Sequence, residues 1–298
     1  MKKTQIMLLL LFLSQYTFSQ NEDLFKRLRV IKKEKSAFYN VDGIDFSKEN
    51  FGKTFNKRNL RKAFARYNVK RKVSKTTDTT LNFKNYKVTK KEKLRGGGTI
   101  IRNIYITENK ENIIEIYAFN YLNKIKGKNF EYKMIKLIRA NKVPKTCYNS
   151  LDLSKVNFVG RELKLGVSCR WMGINNVQCP YYGQMNWSLH KTKESADIAV
   201  KNQFEMTKSK KGVKLISEEE QTIIFEEAPT KVKKVVFKLK GLNKLLASTL
   251  SGGKSLTVYY VSAKVRENFV SCVLSHWDND VRNPSGLPPL LDSVMRID

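Results

Sequence analysis

Apolar residues recur along this chain in two periods, and the switch from one to the other marks out its elements. Residues 22–38 (EDLFKRLRVIKKEKSAF) set Leu24, Phe25, Leu28 and Ile31 at helical spacing, which predicts a short amphipathic helix. Residues 57–68 (KRNLRKAFARYN) predict a second helix, with Leu60, Phe64 and Tyr67 on one stripe. After Gly96-Gly97-Gly98 the period shortens. Residues 99–107 (TIIRNIYIT) and 112–119 (NIIEIYAF) are β-branched and aromatic runs joined by Glu108-Asn109-Lys110-Glu111, the pattern of a hairpin. Residues 130–142 return to a period of about 3.6 through Phe130, Met134, Leu137 and Ile138, and Val143-Pro144 ends that helix.

The second half starts from a segment, 146–160, with Asn, Ser and Asp punctuation, and a domain boundary is expected there. Two strand-like arms, 162–172 and 178–189, flank Gly173-Ile174-Asn175-Asn176. Residues 191–208 predict a helix, 213–217 and 221–226 two short strands, and 230–239 either a strand or the lead into a helix at 241–250. Residues 255–264 and 268–277 predict an antiparallel hairpin through Val265-Arg266-Glu267, and 283–298, with three prolines, an irregular tail. The expected architecture is α+β in two domains: a basic α+β domain over 20–145 and, over 161–282, an antiparallel sheet covered by helices as an α/β sandwich.

The first twenty residues follow a third pattern. Met1-Lys2-Lys3, the apolar run Ile6–Leu13 and the polar close Ser14–Gln20 reproduce the order of a secretory signal peptide. The run is far shorter than the roughly 20 residues a membrane span needs. Cleavage between Ser19 and Gln20 is expected, with no cysteine nearby for a lipid anchor and no later run long enough to span. The mature chain is therefore expected to be soluble and exported, to the periplasm or beyond.

Charge changes the picture further. The formal charge is +30, and residues 21–150 hold 33 Lys and Arg against 12 Asp and Glu, whereas 151–298 hold 22 against 15. The densest stretch, 53–95, carries 16 basic residues and two acids, with Lys57, Arg58, Arg61, Lys62, Arg66, Lys70, Arg71 and Lys72 at its heart. Phe55, Phe64, Tyr67, Phe83 and Tyr86 are interleaved and could stack on sugars or bases. Lysine dominates and the bias pervades every segment, so much of this is ordinary solvated surface. Positive charge alone gives non-specific, salt-sensitive binding. In an exported chain the expected target is an anionic envelope polymer or glycan; no specific nucleic acid is implied.

The four cysteines, in an exported chain, favour disulfides. Cys169 and Cys179 lie ten apart across a predicted turn and pair first; Cys147 with Cys272 is the second candidate bridge, with a buried free thiol the alternative for Cys272. A zinc set of Cys272, His276, Cys169 and Cys179 lacks the close C-x2-C knuckles such folds use. No metal and no cofactor is expected. Ser251-Gly252-Gly253-Lys254-Ser255 mimics a phosphate loop, but position 248 is Ser and the expected order is helix–turn–strand.

One constellation stands out as a candidate ligand site. All three tryptophans and both histidines fall in the second half, among amides and carboxylates: Trp171, Asn176, Trp187 and His190, then His276, Trp277 and Asp278. Rings beside amides suit an uncharged sugar, but the favoured reading is that Trp171, Trp187 and Trp277 fill the core and the amides satisfy a long turn. Glu218, Glu219, Glu220, Glu226 and Glu227 show no spacing of a glycosidase pair. The sequence carries no catalytic signature. Its leading expectation is a binding or structural protein of the cell envelope; the alternative is a hydrolase of an envelope or extracellular polymer.

Overall fold

A computed structural model describes residues 22–94, 98–166, 168–239 and 253–297, so the leader and the expected helix at 241–250 lie outside the described residues. Strand accounts for 48% and helix for 19%, which overturns the expected helix-covered α/β sandwich: the chain is mostly antiparallel β-sheet. Three sheets are present among the described residues, of six, eight and two strands.

The six-stranded sheet takes its strands from the first half: β1 Arg29–Lys32, β2 Ser36–Val41, β3 Ile44–Thr54, β4 Asn85–Lys93, β5 Thr99–Glu108 and β6 Ile113–Leu122, in the order β1-β2-β3-β6-β5-β4. The hairpin β5–β6 forms as the alternation predicts. Its strands are buried nearly throughout because both faces are covered. Helix α2 (Lys57–Arg66) sets Ala63 and Phe64 against Ile104, Ile106, Ile114 and Ile116 on one face. Helix α3 (Lys128–Arg139) sets Met134, Ile135, Leu137 and Ile138 against Tyr105, Tyr117 and Phe119 on the other. The expected helix over 22–38 is wrong beyond a first short helix, α1 (22–27), where the chain turns into the hairpin β1–β2. Val30, Ile31, Tyr39 and Val41 are strand formers, and with β3 available to pair, tertiary contacts override four positions of helical period.

The eight-stranded sheet runs β16-β12-β13-β14-β15-β11-β10-β9. Its strands are β9 Arg170–Gly173, β10 Asn176–Cys179, β11 Gly183–His190, β12 Val213–Phe225, β13 Ala228–Leu239, β14 Ser255–Val265, β15 Asn268–Trp277 and β16 Met295–Arg296. Helix α4 (Lys193–Lys208), capped by Thr192, lies on one face, where Phe204 meets Val235, Phe237, Val258 and Tyr260. The other face is covered by the small hairpin β7 (Lys155–Phe158)–β8 (Arg161–Lys164) and by the one-turn helix α5 (Pro289–Asp292). The tail expected to be irregular thus supplies α5 and the edge strand β16.

The two strands expected at 213–217 and 221–226 are one. Glu218, Glu219 and Glu220 pair across to Val235, Lys234 and Lys233 of β13, with Lys234 on Glu219 at 2.8 Å and Lys233 on Glu218. Opposite charge on the neighbouring strand carries the ladder across a stretch that reads alone as a break.

The two large sheets meet at the β2–β3 turn. Asp42 and Gly43 both have positive φ, 51° and 73°, the conformation an Asp-Gly hairpin turn requires. The Asp42 amide donates to the Leu189 carbonyl at 3.0 Å, and the Lys191 amide donates to the Asp42 carboxylate at 3.1 Å. A Cβ at Gly43 would come 2.9 Å from His190 Cε1. Gly43→Ala should therefore lower the unfolding free energy in urea by about 1–3 kcal/mol, from positive φ and contact together. An unchanged midpoint would show that the turn relaxes away from β11.

Candidate functional site

Helix α2 is built so that one side is core and the other is charge. Asn56 caps it, its side-chain oxygen accepting the Asn59 amide at 3.0 Å. At about 100° per residue, Leu60, Ala63, Phe64 and Tyr67 point inward, while Arg58, Arg61, Lys62 and Arg66 fill the opposite half of the cylinder and Lys57 lies on its flank at the first turn. All five are exposed, as are Lys70, Arg71 and Lys72 in the following turn. Of these eight, only Arg66 has an acidic partner within ion-pair distance among the described residues, Glu49 at 3.0 Å. No acid occupies the first turn. Lys57 and Arg58 there oppose the helix dipole, an unfavourable placement worth about 0.3–1 kcal/mol each. These two first-turn cations do not serve helix stability.

The aromatics interleaved with this charge turn inward. Phe64 is buried and half-buried Phe55 stacks on Tyr86 at 6.1 Å; Phe83 lies beneath the Arg139 guanidinium at 3.8 Å; Tyr67 donates to Glu49 at 3.3 Å. None of the five rings is fully exposed beside the charge.

Of the Trp/His constellation, Trp171 and Trp187 come together, their rings 6.4 Å apart, and the histidines lie elsewhere. Trp187 is 1% exposed in the core beside Phe158, and Trp171 packs against that core, its indole donating to the Ser150 carbonyl at 3.0 Å. His190 lies on the opposite face, held by Ser195 Oγ at 3.0 Å and Ser271 Oγ at 2.8 Å. His276 is buried against Tyr259. Because His190 pairs with Phe269 and His276 sits seven residues farther along β15, the histidines are roughly 23 Å apart. Asn176 accepts from Gln184 in a cross-strand pair, and Asp278 accepts from the Lys254 amide and Ser255 at the start of β14. These residues hold the sheet together and line no common cleft.

Cys169 and Cys179 form the disulfide that the spacing predicts, stapling the short edge strand β9 to β10. The second expected bridge is absent: Cys147 and Cys272 are free and buried in different cores. Burial pushes both thiols up, far from the thiolate a nucleophile needs.

Sequence reasoning missed the buried charges. Asp42 binds Arg27 Nε at 2.8 Å and Lys126 Nζ at 2.8 Å, which hold its carboxyl below the usual range against the cost of burial. Glu131, wholly buried beneath α3, accepts from Asn103, Tyr105, Tyr121 and Lys87. Glu115 accepts from Lys48, Arg139 and Tyr117. Each is enclosed by its partners and serves the fold. Glu131 could be suspected from its place on the apolar stripe of a helix; Asp42 gives no local sign beyond its turn.

The chain matches no family model, no curated protein and no solved structure. Among the described residues, no helix is long and apolar enough to cross a membrane.

Proposed function

We propose that this chain is an exported envelope protein that binds an anionic polymer through the exposed half of α2 and the turn 70–72. The observation that carries this reading is the concentration of eight exposed cations on α2 and the turn after it, seven of them without an acidic partner within ion-pair distance among the described residues, with Lys57 and Arg58 placed against the helix dipole. Over 57–66 the helix spans about 14 Å, so its cations can meet several successive anionic groups of an extended chain. Export rests on the leader pattern of residues 1–19 and agrees with the Cys169–Cys179 disulfide.

The test is retention on immobilised heparin and on lipopolysaccharide, with the salt dependence of affinity measured for the triple variant Arg58→Glu, Arg61→Glu, Lys62→Glu. Three lost contacts should lower the slope of log K against log salt by about 2–3. All three side chains are exposed, so the fold should survive, which circular dichroism checks. Elution of the unaltered protein at low salt, or an unchanged slope in the variant, rejects the proposal.

A further inference from the structure

A second basic feature lies on the other side of the six-stranded sheet and has a different form: a cavity of about 220 Å³. The tip of the β1–β2 hairpin contributes Lys32, Lys33 and Lys35 to its rim, and β3 contributes Lys48 and Asn50. The end of α3 and the turn beyond it supply Ile138, Asn141 and Val143, and the exposed ring of Tyr148 completes the wall over a floor of Ala37 and Tyr39.

The lining chemistry narrows the occupant. Lys48 is tethered to Glu115 at 2.7 Å and Lys33 lies 5.9 Å over the Phe38 ring, whereas Lys32 and Lys35 are exposed and have no acidic partner within ion-pair distance among the described residues. One acid, Glu34, shares the rim, so the balance is positive. Tyr148 is 37% exposed and lines the groove, and its backbone is fixed by a bridge to Val30. Asn50 and Asn141 bring exposed amides to the edge. The cavity is below the about 300–1,000 Å³ typical of drug-sized ligands and holds roughly seven waters.

We infer that this groove is a binding site for an acidic sugar ring, its carboxylate or sulfate met by Lys32 and Lys35 and its apolar face laid on Tyr148. A bare inorganic anion would leave the aromatic wall unused; a neutral sugar would leave the lysines unused. Aromatic stacking at the Tyr148 wall and charge-assisted hydrogen bonds at the rim together select a ring that bears an anion. The site stands apart from α2, which covers the opposite face, and goes beyond the polymer-binding reading.

The experiment is calorimetry and amide NMR titration of the full chain with a galacturonic acid trisaccharide, its neutral galactose counterpart and inorganic sulfate. The acidic trisaccharide should bind, and Lys32→Glu with Lys35→Glu should weaken it about tenfold or more. Tyr148→Ala should weaken it about fivefold while leaving sulfate unaffected. Shifts should fall on Lys32–Ala37 and Tyr148, and the triple variant of α2 should bind the trisaccharide as the unaltered chain does. Equal binding of the neutral sugar, sulfate binding as tight as the trisaccharide, or unchanged affinity in the lysine variant overturns the assignment. So does loss of trisaccharide binding in the α2 variant alone, whereas failure of α2 to retain heparin leaves the groove untouched.

Discussion

Glu131→Ala is expected to cost about 3–5 kcal/mol, the range for breaking a buried ionic network on one side. The carboxylate is wholly buried, with Asn103 Nδ2 at 2.6 Å and the Tyr121 hydroxyl at 2.8 Å on one oxygen, and Lys87 Nζ at 3.1 Å with the Tyr105 hydroxyl on the other. Removing it strands an ammonium that is 14% exposed and leaves two phenols and an amide without their acceptor. The partners come from β4, β5 and β6 while Glu131 belongs to α3, so the loss loosens the helix from its sheet. Urea unfolding followed by circular dichroism reads the effect. Glu131→Gln, which keeps an acceptor but loses the charge, should cost less. A change below about 1 kcal/mol in Glu131→Ala would mean that water replaces the carboxylate and that the network contributes little.

Acid should destabilise the protein well above the usual carboxylate range. Burial pushes the His190 imidazole down to about 4, with Lys126 and Arg27 adding to the effect and Asp42 opposing it. In the unfolded chain the ring titrates near 6.5. Between those two values the unfolded state holds a proton that the folded state refuses, so stability falls as pH drops from about 6.5 to about 4. The full effect is about 3 kcal/mol, from roughly 2.5 pH units at 1.36 kcal/mol each. His276, also pushed down by burial, acts in the same direction. Urea midpoints at pH 7, 5.5 and 4.5 check this. The decline should shrink in His190→Asn, which keeps a polar group near Ser195 and Ser271 but does not titrate. A flat profile to pH 4.5, or the same decline in the variant, would show that the imidazole is solvated when folded.

Much of the local structure was legible. Helices α2, α3 and α4 and the hairpins β5–β6 and β14–β15 each carry apolar spacing that only one element type satisfies, and β9–β10 carries a cysteine pair across a turn. The basic face of α2 could be read as well, because a helical period separates Arg58, Lys62 and Arg66 from Leu60 and Phe64. The orientation of the aromatics was not legible. Phe55 and Tyr86 read as interleaved with charge, and only the pairing of β4 with β5 turns Tyr86 under the helix. Likewise Trp171, Trp187, His190 and His276 read as one cluster because the chain lists them within two stretches. Strand alternation then sends Trp187 and His190 to opposite faces.

The sequence alone determined helices α2, α3 and α4, the hairpins β5–β6 and β14–β15, which cysteines bond first and where the positive charge is densest, since these depend on neighbours within a few residues. Tertiary structure decided the rest. It joined 213–225 into one strand by setting lysines opposite glutamates, gave 283–297 a helix and an edge strand, left Cys147 and Cys272 in separate cores and enclosed Asp42, Glu115 and Glu131. Each of these outcomes rests on a partner far away in the chain. Local spacing carries no information about which distant strand will supply the opposite charge, the missing acceptor or the covering face.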